Sequence, residues 1–142
     1  MLLLIAGTIA LGTAMQKTGL SQIFAETFLS VFNGLPTVAI LGAMILLTSI
    51  CTQILSNNAT AVLLLPIAIS TALGLGVDPK PFIVGICFGA SACFASPVGY
   101  QTNLMVYGPG GYSFTDYMKL GIPLNIFVVL ASTLMIPLIW PF

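Results

Sequence analysis

A chain of 142 residues with 58% hydrophobic side chains, 4% charged side chains and zero net charge has too little polar surface to fold in water. Its mean hydropathy of +1.15 and its six ionisable side chains (Lys17, Glu26, Asp78, Lys80, Asp116, Lys119) point to an integral membrane protein. With no basic patch, nucleic acid is excluded as a partner.

There is no histidine. Cys51, Cys87 and Cys93 lie in apolar stretches and read as small buried hydrophobes. Zinc and thiol–histidine chemistry therefore lack their parts, and no nucleophile–base pair supports an enzyme.

In chain order, Leu2 to Met15 is an apolar helix shorter than a full span, closed by Lys17 and by Gly19 as a helix cap. Met1 leads straight into Leu2 and Leu3 with no basic stretch before it, as in a helix entered at its middle. The chain is thus expected to be part of a longer protein. Ser21 to Phe32 places Ile23, Phe24, Phe28, Val31 and Phe32 at helical spacing between Gln22, Glu26 and Ser30, a pattern for a short amphipathic helix in the membrane interface.

Asn33-Gly34-Leu35-Pro36 is a turn that starts the next helix. Thr37 to Leu55 follows, then Ser56-Asn57-Asn58, then Ala59 to Val77. Asp78-Pro79-Lys80-Pro81 is the most polar turn and is expected in water. Phe82 to Ser96 is apolar and stops at the 97–103 segment, Pro97-Val98-Gly99-Tyr100-Gln101-Thr102-Asn103. Leu104 to Gly111 is short, Tyr112 to Lys119 looks interfacial, and 121–142 is a last span anchored by Trp140. Gly85 and Gly89 form a G-x-x-x-G assigned to close helix packing. A positive-inside bias would place Lys119 in the cytoplasm and the C-terminus outside.

The two polar breaks, at 56–58 and 97–103, carry no charge. Irregular backbone at membrane depth is tolerated only when buried in protein or lining a cavity, so broken helices point to a transporter's binding site. At the first break, Thr52, Gln53, Ser56, Asn57 and Asn58 offer neutral oxygens of the kind that hold sodium. The helix starting after it presents free N–H groups and a positive dipole end to an anion. At the second, Gly99 permits close backbone approach, and Tyr100, Gln101, Thr102 and Asn103 add polar groups. The apolar stretches hold no carboxylate, which favours sodium over proton coupling.

At Ser56-Asn57-Asn58-Ala59-Thr60 and at 97–103 the sequence resembles the C-terminal half of the divalent anion/sodium symporters, permeases for sulfate or dicarboxylates. Their signature is a Ser-Asn-Thr at the tip of a re-entrant hairpin, once in each of two inverted repeats, with a Pro-rich unwound segment in the following broken helix. The resemblance covers the whole chain. It implies an all-α integral membrane fold, a single transmembrane domain over 1–142 that forms one inverted repeat of an ion-transporter-superfamily fold. The hairpin would lie around 37–77, the broken helix around 82–108 and the last span at 121–142.

By position, it implies sodium at Thr52, the Leu55 carbonyl, Asn57 and the Gly99 carbonyl, and a small divalent anion at Ser56, Asn57, Asn58, Tyr100 and Thr102. It further implies a multi-pass protein of the inner or plasma membrane, in contact with lipid, a homodimer, and a first repeat supplied by an N-terminal portion. Two departures stand out. Asn58 replaces the signature Thr, and Tyr100-Gln101-Thr102 replaces a Thr-Pro-Pro common among dicarboxylate carriers. Both favour the sulfate-type branch that also carries soluble regulatory domains. Two other readings stay open: an arsenite-type or sodium/proton permease, and a non-transporting membrane assembly subunit whose breaks are surface turns.

Overall fold

A computed structural model describes residues 2–32 and 34–142. Met1, and Asn33 of the expected 33–36 turn, lie outside the described residues. The chain forms helices α1 (Leu2–Lys17), α2 (Leu20–Val31), α3 (Thr37–Thr52), α4 (Asn57–Leu75), α5 (Lys80–Ser91), α6 (Gln101–Tyr107) and α7 (Phe114–Ile139), with no strand among the described residues. Two of them, α4 and α7, are long and apolar enough to cross a membrane.

The core lies between α3, α4 and α5. On α3 the buried stripe runs Ile40, Leu41, Met44, Ile45, Thr48, Ser49 and Thr52, the spacing of one helical face. On α4 it runs Thr60, Leu64, Ile67, Ala68, Thr71 and Ala72. Phe82, Gly85, Ile86, Gly89 and Ala90 form the facing stripe of α5. The expected role of the G-x-x-x-G holds. A Cβ on Gly85 would stand 3.0 Å from Leu41 Cδ1, and one on Gly89 would stand 2.9 Å from both the Ile45 carbonyl oxygen and Thr48 Cβ. These two glycines let α5 lie directly on α3. Outside this trio, α1 and α2 pack on α4, and α7 packs on α3 and α5.

The turns follow their local chemistry. Gly19 and Gly76 adopt left-handed conformations, at φ 73° and 70°, where the chain turns between α1 and α2 and leaves α4. Lys80 N–H donates to Asp78 Oδ1 at 3.0 Å in the polar turn before α5. Asp116 Oδ2 accepts from both the N–H (3.0 Å) and the hydroxyl (2.6 Å) of Ser113, fixing the start of α7.

Several expected boundaries move. α3 ends at Thr52, not Leu55, and Asn57 and Asn58 belong to the first turn of α4, so the first break is 53–56. The second break starts earlier, because α5 ends at Ser91 and α6 begins at Gln101, leaving 92–100 irregular. The expected interfacial piece before Lys119 and the last span are one continuous helix, with Pro123 and Pro137 inside it.

Candidate functional site

Thr52 ends the buried face of α3, and the helix closes with tightened hydrogen bonds: Gln53 N–H to the Ile50 carbonyl (3.2 Å) and Ile54 N–H to the Cys51 carbonyl (3.1 Å). Ser56 takes an extended conformation and caps α4, its hydroxyl accepting from Ala59 N–H at 3.4 Å. Across this four-residue turn the Thr52 hydroxyl donates to Asn57 Oδ1 at 2.8 Å. The Ala90 carbonyl, at the end of α5, lies 2.9 Å from the same hydroxyl. One hydroxyl proton thus faces two acceptors, in a buried corner built of neutral oxygens.

The second break is laid against the first. A Cβ on buried Gly99 would overlap the Thr52 carbonyl oxygen and approach the Cys93 sulfur. Glycine is required here for space. The Cys93 thiol donates to that same Thr52 carbonyl at 3.2 Å. Cys93 is buried as expected of a small hydrophobe, and it also serves the junction through its weak S–H donor. Cys87 departs from the expectation and is exposed on this chain.

Two amide side chains hold the irregular 92–100 segment. Gln53 Nε2 donates to the Ser49 carbonyl (2.9 Å) and the Ala92 carbonyl (3.0 Å), while Gln53 Oε1 accepts from Ala95 N–H (3.2 Å). The Ser49 hydroxyl also donates to the Ala92 carbonyl, at 3.3 Å. From the other side, Asn103 Nδ2 donates to the carbonyls of Cys93 (3.0 Å) and Ser96 (3.3 Å), and Tyr117 of α7 donates its hydroxyl to the Asn103 carbonyl at 3.1 Å. Backbone that has left the helix must find partners for its polar groups, and these side chains supply them.

Of the residues expected to hold sodium, the structure brings together Thr52, Asn57 and Gly99; Leu55 lies in the connecting turn with an exposed side chain. Of those expected to meet an anion, Ser56, Asn58, Tyr100 and Thr102 are exposed and Asn57 is half-buried. Tyr100 takes an extended conformation ahead of α6, and Thr102 sits within α6. Sequence reasoning placed Gln53 only among the oxygen donors of the first break and Asn103 only among the polar groups of the second. It missed that both are structural clamps, and it missed Cys93 and Tyr117. The available signal was a lone amide or phenol beside an irregular apolar segment.

Comparison with known proteins gives the chain's family. The family model described as "Citrate transporter" matches residues 1–142. An uncharacterized transporter of Synechocystis sp. is 48% identical over 137 residues, 96% of this chain and 22% of that protein. Sodium/sulfate cotransporter 1 of Chlamydomonas reinhardtii is 35% identical over 131 residues, 92% of this chain and 15% of that protein. Solute carrier family 13 member 2 of Rattus norvegicus is 34% identical over 134 residues, 94% of this chain and 23% of that protein. The chain therefore spans about a fifth of the length of the curated relatives it matches. It belongs to the citrate transporter family.

Proposed function

We propose that this chain, a member of the citrate transporter family, is part of the C-terminal half of a secondary active transporter that moves a small divalent anion, sulfate or a dicarboxylate, together with sodium. The observation that carries the reading is the junction of the two breaks, where Thr52 meets Asn57 through its hydroxyl and Gly99 through its carbonyl. Neutral oxygens from a hydroxyl, an amide and freed carbonyls suit a hard monovalent cation. In this reading α3, the 53–56 turn and α4 form a re-entrant hairpin, and α5 and α6 are the two parts of a broken helix.

Sodium is held by Thr52, Asn57 and the carbonyls of Leu55 and Gly99. The N-terminal end of α4, with Ser56, Asn57 and Asn58, faces the anion with free N–H groups and a positive dipole end. Tyr100 and Thr102 contribute from the second break. Asn57 is shared, its oxygen to the cation and its nitrogen to the anion, so the two ligands favour one another's binding. The names of the relatives support both ligands: two of the Chlamydomonas proteins are called sodium/sulfate cotransporters. A first repeat elsewhere in the protein would complete the anion site, and a homodimer in the cell membrane is the expected assembly.

The test is uptake of labelled sulfate and of labelled succinate by proteoliposomes containing the full-length protein, with an inward gradient of sodium or of potassium. Uptake of either anion driven by sodium alone supports the reading. Uptake equal in the two salts, or driven by a proton gradient instead, overturns it.

A further inference from the structure

Four threonines of the helical core, Thr48, Thr52, Thr60 and Thr71, are fully buried. A threonine inside an apolar helix ordinarily satisfies its hydroxyl by donating to the carbonyl one turn back. Thr48 does so to Met44 at 2.7 Å and Thr71 to Ile67 at 2.8 Å. Thr52 turns to Asn57 and Ala90 instead. The Thr60 hydroxyl oxygen is the one of the four with no hydrogen-bond partner among the described residues. The Ser56 carbonyl stands one turn behind it and already accepts the Thr60 N–H at 2.9 Å. In native proteins a buried polar group without a partner marks strain, chemistry or the place of a bound ion or water.

Its position distinguishes among these. Asn57 and Thr60 are three residues apart on α4, so their Cβ atoms stand about 5–6 Å apart on one face. Thr60 begins the stripe that continues through Leu64, Ile67 and Ala68 into the core shared with α3 and α5. At the open end of that stripe Asn57 Oδ1 meets the Thr52 hydroxyl, with the Ala90 carbonyl beside it. That corner holds three oxygens within reach of a single proton. Its acceptors outnumber the one proton donated to them, which suits a cation.

We propose that the Thr60 hydroxyl is a further oxygen ligand of the sodium ion held by Thr52 and Asn57. The assignment rests on the sodium-coupled reading given above and adds to it a ligand from inside α4, beyond the hairpin tip.

The experiment compares melting of the purified full-length protein in sodium and in potassium at equal ionic strength, for wild type, Thr60→Val and Thr60→Ser. Valine keeps the shape and removes the hydroxyl. The expected result for T60V is a melting temperature in potassium equal to or above wild type, because an unpaired polar group is gone. The sodium concentration for half-maximal stabilisation should rise by about tenfold or more, the scale of ligand-supporting changes at metal sites. T60S should restore the wild-type sodium response. An unchanged sodium response in T60V overturns the assignment while leaving sodium coupling intact. A T60V protein that loses stability equally in both salts also overturns it, since the hydroxyl then serves the fold alone. A wild-type protein indifferent to sodium overturns the parent reading instead. Thr60→Ala supplies the same comparison should valine prevent folding.

Discussion

Gly99 and the Thr52 carbonyl oxygen are packed so closely that no side-chain carbon fits between them. The contact joins the irregular end of α3 to the irregular segment after α5, positions 47 residues apart in sequence. Both partners are backbone, so neither can swing aside as a flexible side chain would. The same carbonyl accepts from the Cys93 thiol, which fixes its direction.

Gly99→Ala should therefore destabilise the protein by about 1–3 kcal/mol, the range for overpacking a tight interior. It should also weaken the sodium response, because relieving the clash moves the Thr52 backbone. Gly7→Ala is the control: a Cβ there meets nothing within 4 Å, and alanine improves helix propensity by about 0.8–1.0 kcal/mol. Thermal melting of both variants in detergent checks the contrast. A Gly99→Ala protein as stable as Gly7→Ala would mean that the two breaks separate readily.

Gln53 and Asn103 hold the 92–100 segment from opposite sides. Gln53→Leu leaves the Ala95 N–H without its partner and the Ala92 carbonyl with the Ser49 hydroxyl alone, and Asn103→Leu removes the amide donor from the carbonyls of Cys93 and Ser96. Each should cost about 1–3 kcal/mol, the penalty for an unsatisfied buried group. The double variant should lose less than the sum, since a segment released from one side has less to lose from the other. Unfolding curves for the two single variants and the double variant measure this coupling. Strict additivity would show that the two clamps act on independent structures.

Asn58 is exposed in the first turn of α4 and stands where the resembling signature carries Thr. Asn58→Thr should change the ratio of sulfate to dicarboxylate uptake and leave the sodium dependence near wild type. The side-chain oxygens proposed for the cation, on Thr52 and Asn57, are buried and half-buried, unlike this exposed side chain. Competition between labelled sulfate and unlabelled succinate at several sodium concentrations reads both quantities. A shifted sodium response with an unchanged anion ratio would reverse the proposed division of labour.

Much of this junction is legible in the sequence, and what is not has physical causes. The polar break between two apolar helices and the close-packed glycine face of α5 follow from residue type and spacing, while the joining of Thr52 with Asn57 is what the family resemblance implies. The break is misplaced by three residues because Ile54 and Leu55 are as apolar as the helix before them. The Gln53 amide at this helix end reaches Ala92 and Ala95, about forty residues away. No local propensity encodes such a tertiary contact. The Ser56 cap, by contrast, was readable, and so was the Ser113-x-x-Asp116 pattern that starts α7 eight residues before Gly121. A hydropathy reading overlooks both, placing the helix starts at Ala59 and Gly121, because it treats a polar first turn as a break.

Asn57 is the residue whose replacement best separates the two ligands. Its Oδ1 lies 2.8 Å from the Thr52 hydroxyl, where the proposed cation would sit, and its amide nitrogen, with no hydrogen-bond partner among the described residues, would donate to the proposed anion. Asn57→Asp keeps an oxygen for the cation and for the Thr52 hydroxyl but removes that donor and adds a negative charge. Two unit charges about 4 Å apart repel by roughly 4 kcal/mol at an effective dielectric of 20. That exceeds the net ~0.5–1.5 kcal/mol of one hydrogen bond, so repulsion of the dianion dominates the change. Asn57→Asp should abolish anion uptake while sodium still raises the melting temperature. Asn57→Ala removes both functions and should weaken both responses. Labelled-anion uptake into proteoliposomes, paired with melting curves in sodium and in potassium, reads the two ligands independently. Near-normal uptake by the Asp variant would remove Asn57 from the anion site, and loss of the sodium effect in that variant would show that the carboxylate does not substitute for the amide oxygen at the cation.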